Sequence, residues 1–481
     1  VAELVREIPP KADDLSEWYQ AVCYRAELVS QAPVRGCVVL RPYGFGLWER
    51  LQAELDRRFK ETGHENAYFP LLIPESLLTR EAEHVEGFAP EVAWVTEGGG
   101  EKLTERLAIR PTSEVIIGTM YAEWLQSYRD LPILINQWAN VVRWEKRTRP
   151  FLRTLEFLWQ EGHTAHATES EAAAEAAQML EIYREVAETV VGVPVVVGEK
   201  SASERFAGAT HTFSIEGLMP DGKALQAATS HELGQNFSRA YDITFAAEDQ
   251  SEQYAWTTSW GMSWRMIGAM IMVHGDDRGL RIPPKMAPVE VVIVPIVRGD
   301  STAVLDAARE LFRACKAAGL RVKLDDRPGQ SPGFKFNEWD MRGVPLRIEL
   351  GARDLEAGVA TLVRRDRAFK EDGQKRTLPL SEIVAAIPAA LDEVQASLFA
   401  QAKAYLETHT LATSDRDEFF RWLNERAGLV EIAWCERAAC EAAVKESTSA
   451  TTRNLHRPAR SATCVACGEP ATAQAYFAQS Y

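Results

Sequence analysis

Cysteine is scarce in this chain. There are seven in 481 residues, too few and too unevenly spread for a disulfide framework. No apolar run approaches the ~18 to 20 residues that a membrane span needs. The opening stretch VAELVREIPPKADD lacks the apolar core of a signal peptide. A cytoplasmic protein with no membrane association is the expectation. Positive charge is also in short supply, with 54 Lys and Arg against 69 Asp and Glu and a net charge of −15. That balance argues against indiscriminate coating of nucleic acid, and leaves RNA binding through local basic patches open. What is present is an ordinary globular composition, 46% hydrophobic and 26% charged, at a length suited to about three domains.

The most informative stretch runs from Val141 to Thr168. An apolar run, Ile133 to Glu145, leads into a loop bearing Lys146, Arg147, Arg149 and Arg153, and the chain returns as Phe157 to His163. With period two, Arg143 and Glu145 share one face of the first strand, and Phe157, Trp159, Glu161 and His163 share one face of the second. Such a face is either a salt-bridged structural surface or a binding floor. The basic loop, a ready receptor for phosphates, favours the floor.

Upstream, residues 16–30 predict an amphipathic helix starting at a serine cap. Val34 to Arg41 predicts a strand. Gly44 to Lys60 predicts a helix with Trp48, Leu51, Leu55 and Phe59 on one stripe, available to the core or to a second copy of the chain. Thr112-Ser113-Glu114 opens another helix, as an acidic cap, as a binder of an amine, or as both. Ser170 to Thr189 reads as surface scaffold. Phe206 and the run Gln226 to His231 flank further strands, and Trp256 to Arg281 joins a strand to an apolar helix. Gly261 there admits close approach to the backbone, and Arg265 points into a cleft.

Pro283, Pro284 and Pro288 mark a linker. Beyond it, strands near 289–295, 320–324, 345–350 and 358–364 alternate with helices from Ser301 and Pro332. That pattern predicts a compact α/β domain with a largely parallel sheet, followed by a helix from Ser381 to Thr408. The last segment reads as mostly helical. Its Cys435-x4-Cys440 and Cys464-x2-Cys467 pairs match a four-thiolate zinc site better than disulfides, against a purely structural reading.

These residues, taken together, resemble a class II aminoacyl-tRNA synthetase, and within that class the prolyl-tRNA synthetases of archaeal and eukaryote-like type. The helix leading to Pro70 is similar to the class's first motif, Arg143-Trp144-Glu145 through Phe157 to its second, and Gly261 to Arg265 to its third. Arg110 to Glu114, Trp159 to His166 and the cysteine-bearing tail are more particular to the prolyl enzyme. The resemblance implies a mixed α/β fold. It comprises an α+β catalytic domain on an antiparallel sheet (residues 1–287), an α/β anticodon-binding domain (288–400) and a small C-terminal zinc-binding domain (401–481).

The implied activity joins L-proline to ATP and then to tRNA(Pro), in a homodimer. Arg143 would bridge the proline carboxylate and the α-phosphate, two anions that repel, and with Arg265 would carry catalysis. Glu145, Phe157, Gln226, Thr229 and Arg265 would hold ATP, with Mg²⁺ on its triphosphate. Thr112, Glu114, Trp159, Glu161, His163, Phe206 and Ser259 would form the proline pocket. Asp340, Arg347 and Arg353 would read the anticodon guanines, or else are surface ion pairs. Zinc on Cys435, Cys440, Cys464 and Cys467 would be structural, and the tail ending at Tyr481 would pack toward the catalytic domain. Only about 100 residues separate Phe157 from Gly261, too few for the editing insertion of bacterial-type enzymes, so no editing of mischarged alanine is expected.

Rival readings are another synthetase of the subclass, a synthetase-like protein without catalysis, or a zinc-dependent RNA-binding module. A threonyl enzyme needs a metal in its substrate pocket, yet the cysteines lie far along the chain. A non-catalytic paralogue is expected to lose an ATP-binding arginine, yet Arg143 and Arg265 are both present. A zinc module leaves the hairpin unexplained. Trp264 has no role in any of these readings.

Overall fold

A computed structural model describes residues 8–78, 92–297 and 302–481, so Ser301 and the first seven residues of the opening stretch lie outside the described residues. The hairpin forms as expected. Strand Ile133–Val142 pairs antiparallel with Glu156–His166, from Ile133 opposite Ala165 to Val142 opposite Glu156. The first strand stops at Val142 rather than running on to Glu145. The clustered cations and Pro150 break the pairing, and Arg143 and Glu145 sit just beyond the strand end.

Strands Trp256–Ser263, Ala224–Gly234, His211–Leu218 and Val195–Glu199 add to the hairpin in that order, all antiparallel. Among the described residues the sheet reaches eleven strands. Glu65–Asn66 closes one end, parallel to the first hairpin strand. The other end continues through Thr451–His456, Ala473–Ala478, Leu429–Trp434 and Thr410–Ala412. The C-terminal segment, expected to be mostly helical, thus supplies four strands to the catalytic sheet. Their runs are short, and Leu429–Trp434 is buried at every position, so no alternation marks it as a strand.

Behind the floor lies helix Glu169–Thr189, started by a capping box in which Thr168 and Glu171 bond each other's backbone N–H. It is not mere surface scaffold, because Ala172, Ala176, Met179, Tyr183 and Val186 are buried along one face. Helix Pro42–Glu61 packs on it and turns Leu47, Trp48, Leu51, Leu55 and Phe59 into the chain's own core. The first helix, Leu15–Arg25, is capped by Asp14 rather than by a serine. Trp260 stands opposite Gly162 across the strands, its indole lying where a Cβ would be: a side chain at 162 would come within 2.1 Å of the ring.

The second unit has strand order Val322–Leu324, Val291–Ile296, Leu346–Gly351, Val359–Arg364, Lys375–Pro379. The first three are parallel and the last two antiparallel, so the sheet is mixed rather than largely parallel. The unanticipated edge strand Lys375–Pro379 is polar and mostly exposed, which hides it from a hydrophobicity pattern. Contrary to expectation, helix Ile383–Thr408 is long and apolar enough to cross a membrane. It buries one face, with Ile383, Ile387, Leu391, Val394 and Leu398, in the core of this second unit.

Candidate active site

Twelve of the expected residues surround one cavity of about 210 Å³: Phe157, Trp159, Glu161, His163, Gln226, Thr229 and Ser259 on the floor strands, and Thr112, Glu114, Arg143, Phe206 and Arg265 on the loops and helix starts beside them. Period two explains the convergence. Trp159, Glu161 and His163 face the cavity, while the alternate residues Gln160 and Gly162 meet Tyr183 and Trp260 in the core. Cross-strand register lines up His163, Ser259, His231 and Thr212 across four neighbouring strands. His231 and Thr212 were not singled out from the sequence. His231 lies two residues past Thr229 on the same strand, so extending the alternation would have found it.

The closed end of the cavity is acidic. The Thr112 hydroxyl donates to Glu114, itself only 7% exposed. With its proton spent in that way, the hydroxyl offers lone pairs to a bound donor. Glu161 accepts from Ser113 Oγ (2.5 Å), Gln137 Nε2 (2.7 Å) and His163 Nε2 (3.0 Å), which fits an orienting role better than direct contact with a ligand. Burial alone would depress the His163 pKa. The hydrogen bond it donates to Glu161 and the charges of Glu161 and Glu114 outweigh it and hold the imidazole above its ordinary value. His231 goes the other way, pushed down to about 4 chiefly by burial. It stacks on Phe206 at 4.5 Å and meets the Thr212 hydroxyl at 2.9 Å. Ser259 Oγ and Trp159 Nε1 are buried without a hydrogen-bond partner among the described residues. Both line the cavity, and unmet polar groups there are what a polar ligand would satisfy.

The open end is cationic. Arg143 donates Nε to the Pro111 carbonyl (3.1 Å), and its guanidinium lies 5.6 Å from the Phe157 ring centre and 5.3 Å from that of Trp159. Arg265 begins helix Arg265–His274 and donates to the carbonyls of Leu152 (3.1 Å) and Gln226 (3.5 Å). Burial, then the neighbouring charges of Arg143 and Arg153, push its pKa down to about 10. Guanidiniums crowded in this way favour an incoming anion. Glu145 lies in the adjoining recess with Arg143, Arg153, Phe157 and Arg265. Its carboxylate accepts from the Lys146 and Arg147 backbone at 3.0 and 3.2 Å. Trp264 gains an account here: its buried indole packs edge-on against Phe151, bracing the loop beside Arg265. The chain end joins the same region. Tyr481 donates its backbone N–H to Ala224 O (3.1 Å), beside a cavity lined by Arg147, Arg149, Arg153, Lys223 and Arg265.

Two further clusters lie apart from the cavity. The Sγ atoms of Cys435, Cys440, Cys464 and Cys467 lie within 4.8 Å of one another, with Cys435–Cys467 at 3.6 Å and Cys440–Cys464 at 3.9 Å. A tetrahedral zinc with bonds of ~2.3 Å needs sulfur separations of about 3.8 Å, so the four thiols fit it. In the second unit Arg347 is buried. It donates to Asp340 (2.6 Å) and Glu349 (2.9 Å) and lies 4.4 Å from the Phe336 ring centre. Arg353 stands exposed on the short helix Ala352–Glu356, and no contact among the described residues draws it to that pair.

Comparison with known proteins agrees with this layout. Residues 94–274 match the tRNA synthetase class II core domain (G, H, P, S and T). Residues 290–390 match an anticodon binding domain, and 416–481 match the prolyl-tRNA synthetase C-terminal domain. The chain is 55% identical to the proline–tRNA ligase of Symbiobacterium thermophilum over 99% of both chains. It is 52% identical to that of Natranaerobius thermophilus over 100% of this chain and 99% of the relative. The figure for Rubrobacter xylanophilus is also 52%, over the whole of both. The chain belongs to the prolyl-tRNA synthetase family. It is therefore a class II synthetase, and its core holds this cavity over the antiparallel floor.

Proposed function

We propose that the enzyme activates L-proline with ATP to prolyl-adenylate and pyrophosphate, then transfers the prolyl group to the 3′ end of tRNA(Pro) with release of AMP. The observation that carries this reading is the polarity of this cavity, with carboxylates at its closed end and guanidiniums at its mouth. A secondary ammonium fits Thr112 and Glu114, with Trp159, His163 and Phe206 as walls around the ring, Ser259 beneath it and Glu161 orienting His163. The amino-acid carboxylate then faces Arg143. Arg143 holds that carboxylate against the α-phosphate, so the attacking oxygen forms its bond to phosphorus as pyrophosphate leaves. Phe157 and Arg265 sandwich the adenine, Glu145 meets its edge, and Gln226 and Thr229 hold ribose or phosphate. Mg²⁺ arrives with the triphosphate. Bound there, the ion would offset the negative charge of the phosphates beside Arg143 and Arg265.

Asp340, Arg347 and Arg353 are assigned to the anticodon guanines, supported by the carboxylate–guanidinium pair beside Phe336. Zinc on the four cysteines is structural, because a closed four-thiolate site has no open position for water. The domains divide near 287 and 400. A homodimer is supported by the exposed apolar side chains of Tyr68, Leu72 and Trp124. The place of work is the cytoplasm, and no editing of alanyl-tRNA(Pro) is assigned. Proline-dependent pyrophosphate exchange tests the central assignment: the wild type is active, and Arg143→Ala loses about 10³-fold or more. Retention of a tenth of the activity would refute the role of Arg143.

A further inference from the structure

The C-terminal strand Thr451–His456 does more than extend the sheet. It reaches Val195–Glu199 through Leu455 opposite Glu199, and the approach is close enough that a Cβ on Gly198 would fall 2.8 Å from both Asn454 Cβ and the Leu455 carbonyl. From there two of its side chains pass into the buried polar layer of the floor. Arg453 grips Glu216 with a fork, Nε to Oε2 and Nη2 to Oε1, both 2.9 Å. Lys200 Nζ takes the same carboxylate at 2.6 Å. Asn454 accepts from the Ser214 hydroxyl at 2.8 Å and donates to the Val196 carbonyl at 2.9 Å. Glu216 and Ser214 are fully buried, so the carboxylate depends on these partners.

The register gives these contacts a direction. Glu216 stands directly opposite Gln226, and Ser214 opposite Thr229. The strand pair is irregular between those two positions: a bulge falls at Ile215/Glu216. Bulges re-aim side chains beside active sites, and here the residues flanking the bulge are the ones that Arg453, Lys200 and Asn454 hold. The carbonyl of Gln226 in turn accepts from Arg265. By contrast, Thr212, deeper in the cavity, meets Lys200 by accepting its backbone N–H at 2.7 Å, and its hydroxyl meets His231.

We infer that Arg453 and Asn454 are positioning residues for ATP: through Glu216 and Ser214 the C-terminal strand holds the bulge that aims Gln226, Thr229 and Arg265 at the nucleotide. This rests on the assignment of Gln226 and Thr229 to the nucleotide side.

The test uses full-length enzyme in tRNA-independent pyrophosphate exchange, with rates expressed per active site titrated by adenylate formation. Arg453→Met is expected to lower kcat/KM for ATP by about tenfold to a hundredfold, with the KM for proline unchanged. Arg453→Lys keeps a charge but loses the fork, and is expected to show a smaller defect of the same kind. Should Arg453→Met not fold, that variant carries the test. Gln226→Ala is the control. If it leaves the ATP dependence untouched, the assignment of Gln226 falls and this inference with it. If Gln226→Ala is defective while Arg453→Lys and Arg453→Met match wild type, only the inference falls. An equal change in both KM values, or a loss confined to the titrated fraction, overturns it too, because that is what a merely structural ion cluster would give.

Discussion

Replacing Glu114 with glutamine removes one negative charge and almost no volume from the closed end of the cavity. At 7% exposure the carboxylate has little water to share its charge with. An ammonium about 4 Å away would interact with it by about 4 kcal/mol at an effective dielectric of 20. That corresponds to roughly 10³ in kcat/KM. Part of the loss is returned, because Glu114 is also one of the charges holding His163 above its ordinary pKa. Without it the imidazole loses its proton more readily, and a competing cation leaves the site. The expected outcome is a fall of about 10² to 10³ in kcat/KM for proline in pyrophosphate exchange, with the KM for ATP little changed. The pH profile supplies a second readout. The raised pKa of His163 stabilises the fold below about 6.5, and that contribution disappears as pH rises through the folded value. Proline binding has the opposite sign, since it improves as His163 is deprotonated over that same window. In Glu114→Gln the inflection in the KM for proline moves to lower pH. A loss under tenfold, or an inflection that stays put, would refute the counter-charge role.

Gly162→Ala places a methyl on the Trp260 indole, and should destabilise the fold by about 1 to 3 kcal/mol, measured by urea denaturation. Arg347→Ala should cut tRNA charging by about 10- to 100-fold while leaving pyrophosphate exchange intact. Equal loss of both would remove Arg347 from anticodon reading. The purified enzyme should carry about one zinc per chain, and stripping it with a chelator should lower the thermal unfolding midpoint by at least about 5 °C. Metal-free protein of undiminished stability would exclude a structural zinc.

How far the site was legible depended on where its residues lie relative to regular alternation. Phe157, Trp159, Glu161 and His163 follow one strand's period, and all four line the cavity. Period two predicts the surface on which Arg143 and Glu145 stand, but the strand does not carry them there. They leave the strand at Val142 and are set by the loop, whose basic residues and proline end the pairing. Glu204, Thr212 and His231 also line the cavity, and the sequence reading singles out none of them. Glu204 sits in an irregular stretch with no period to read, whereas His231 merely continued one already in use.

The C-terminal strands were invisible for a different reason. A strand buried on both faces has no polar alternation, and the Thr451–His456 run TTRNLH shows polar residues that suggest a loop. Those polar residues are buried because their partners, Glu216 and Ser214, stand some 240 positions earlier in the chain. A buried Arg, Thr or Asn in a strand therefore marks a place where distant segments satisfy one another. Such pairing is non-local and carries no signature within a window of ten or twenty residues. The catalytic floor and the last strands of the chain thus share one sheet and one buried polar layer. The four cysteines lie on the segments that flank strand Thr451–His456, from which Arg453 and Asn454 reach Glu216 and Ser214.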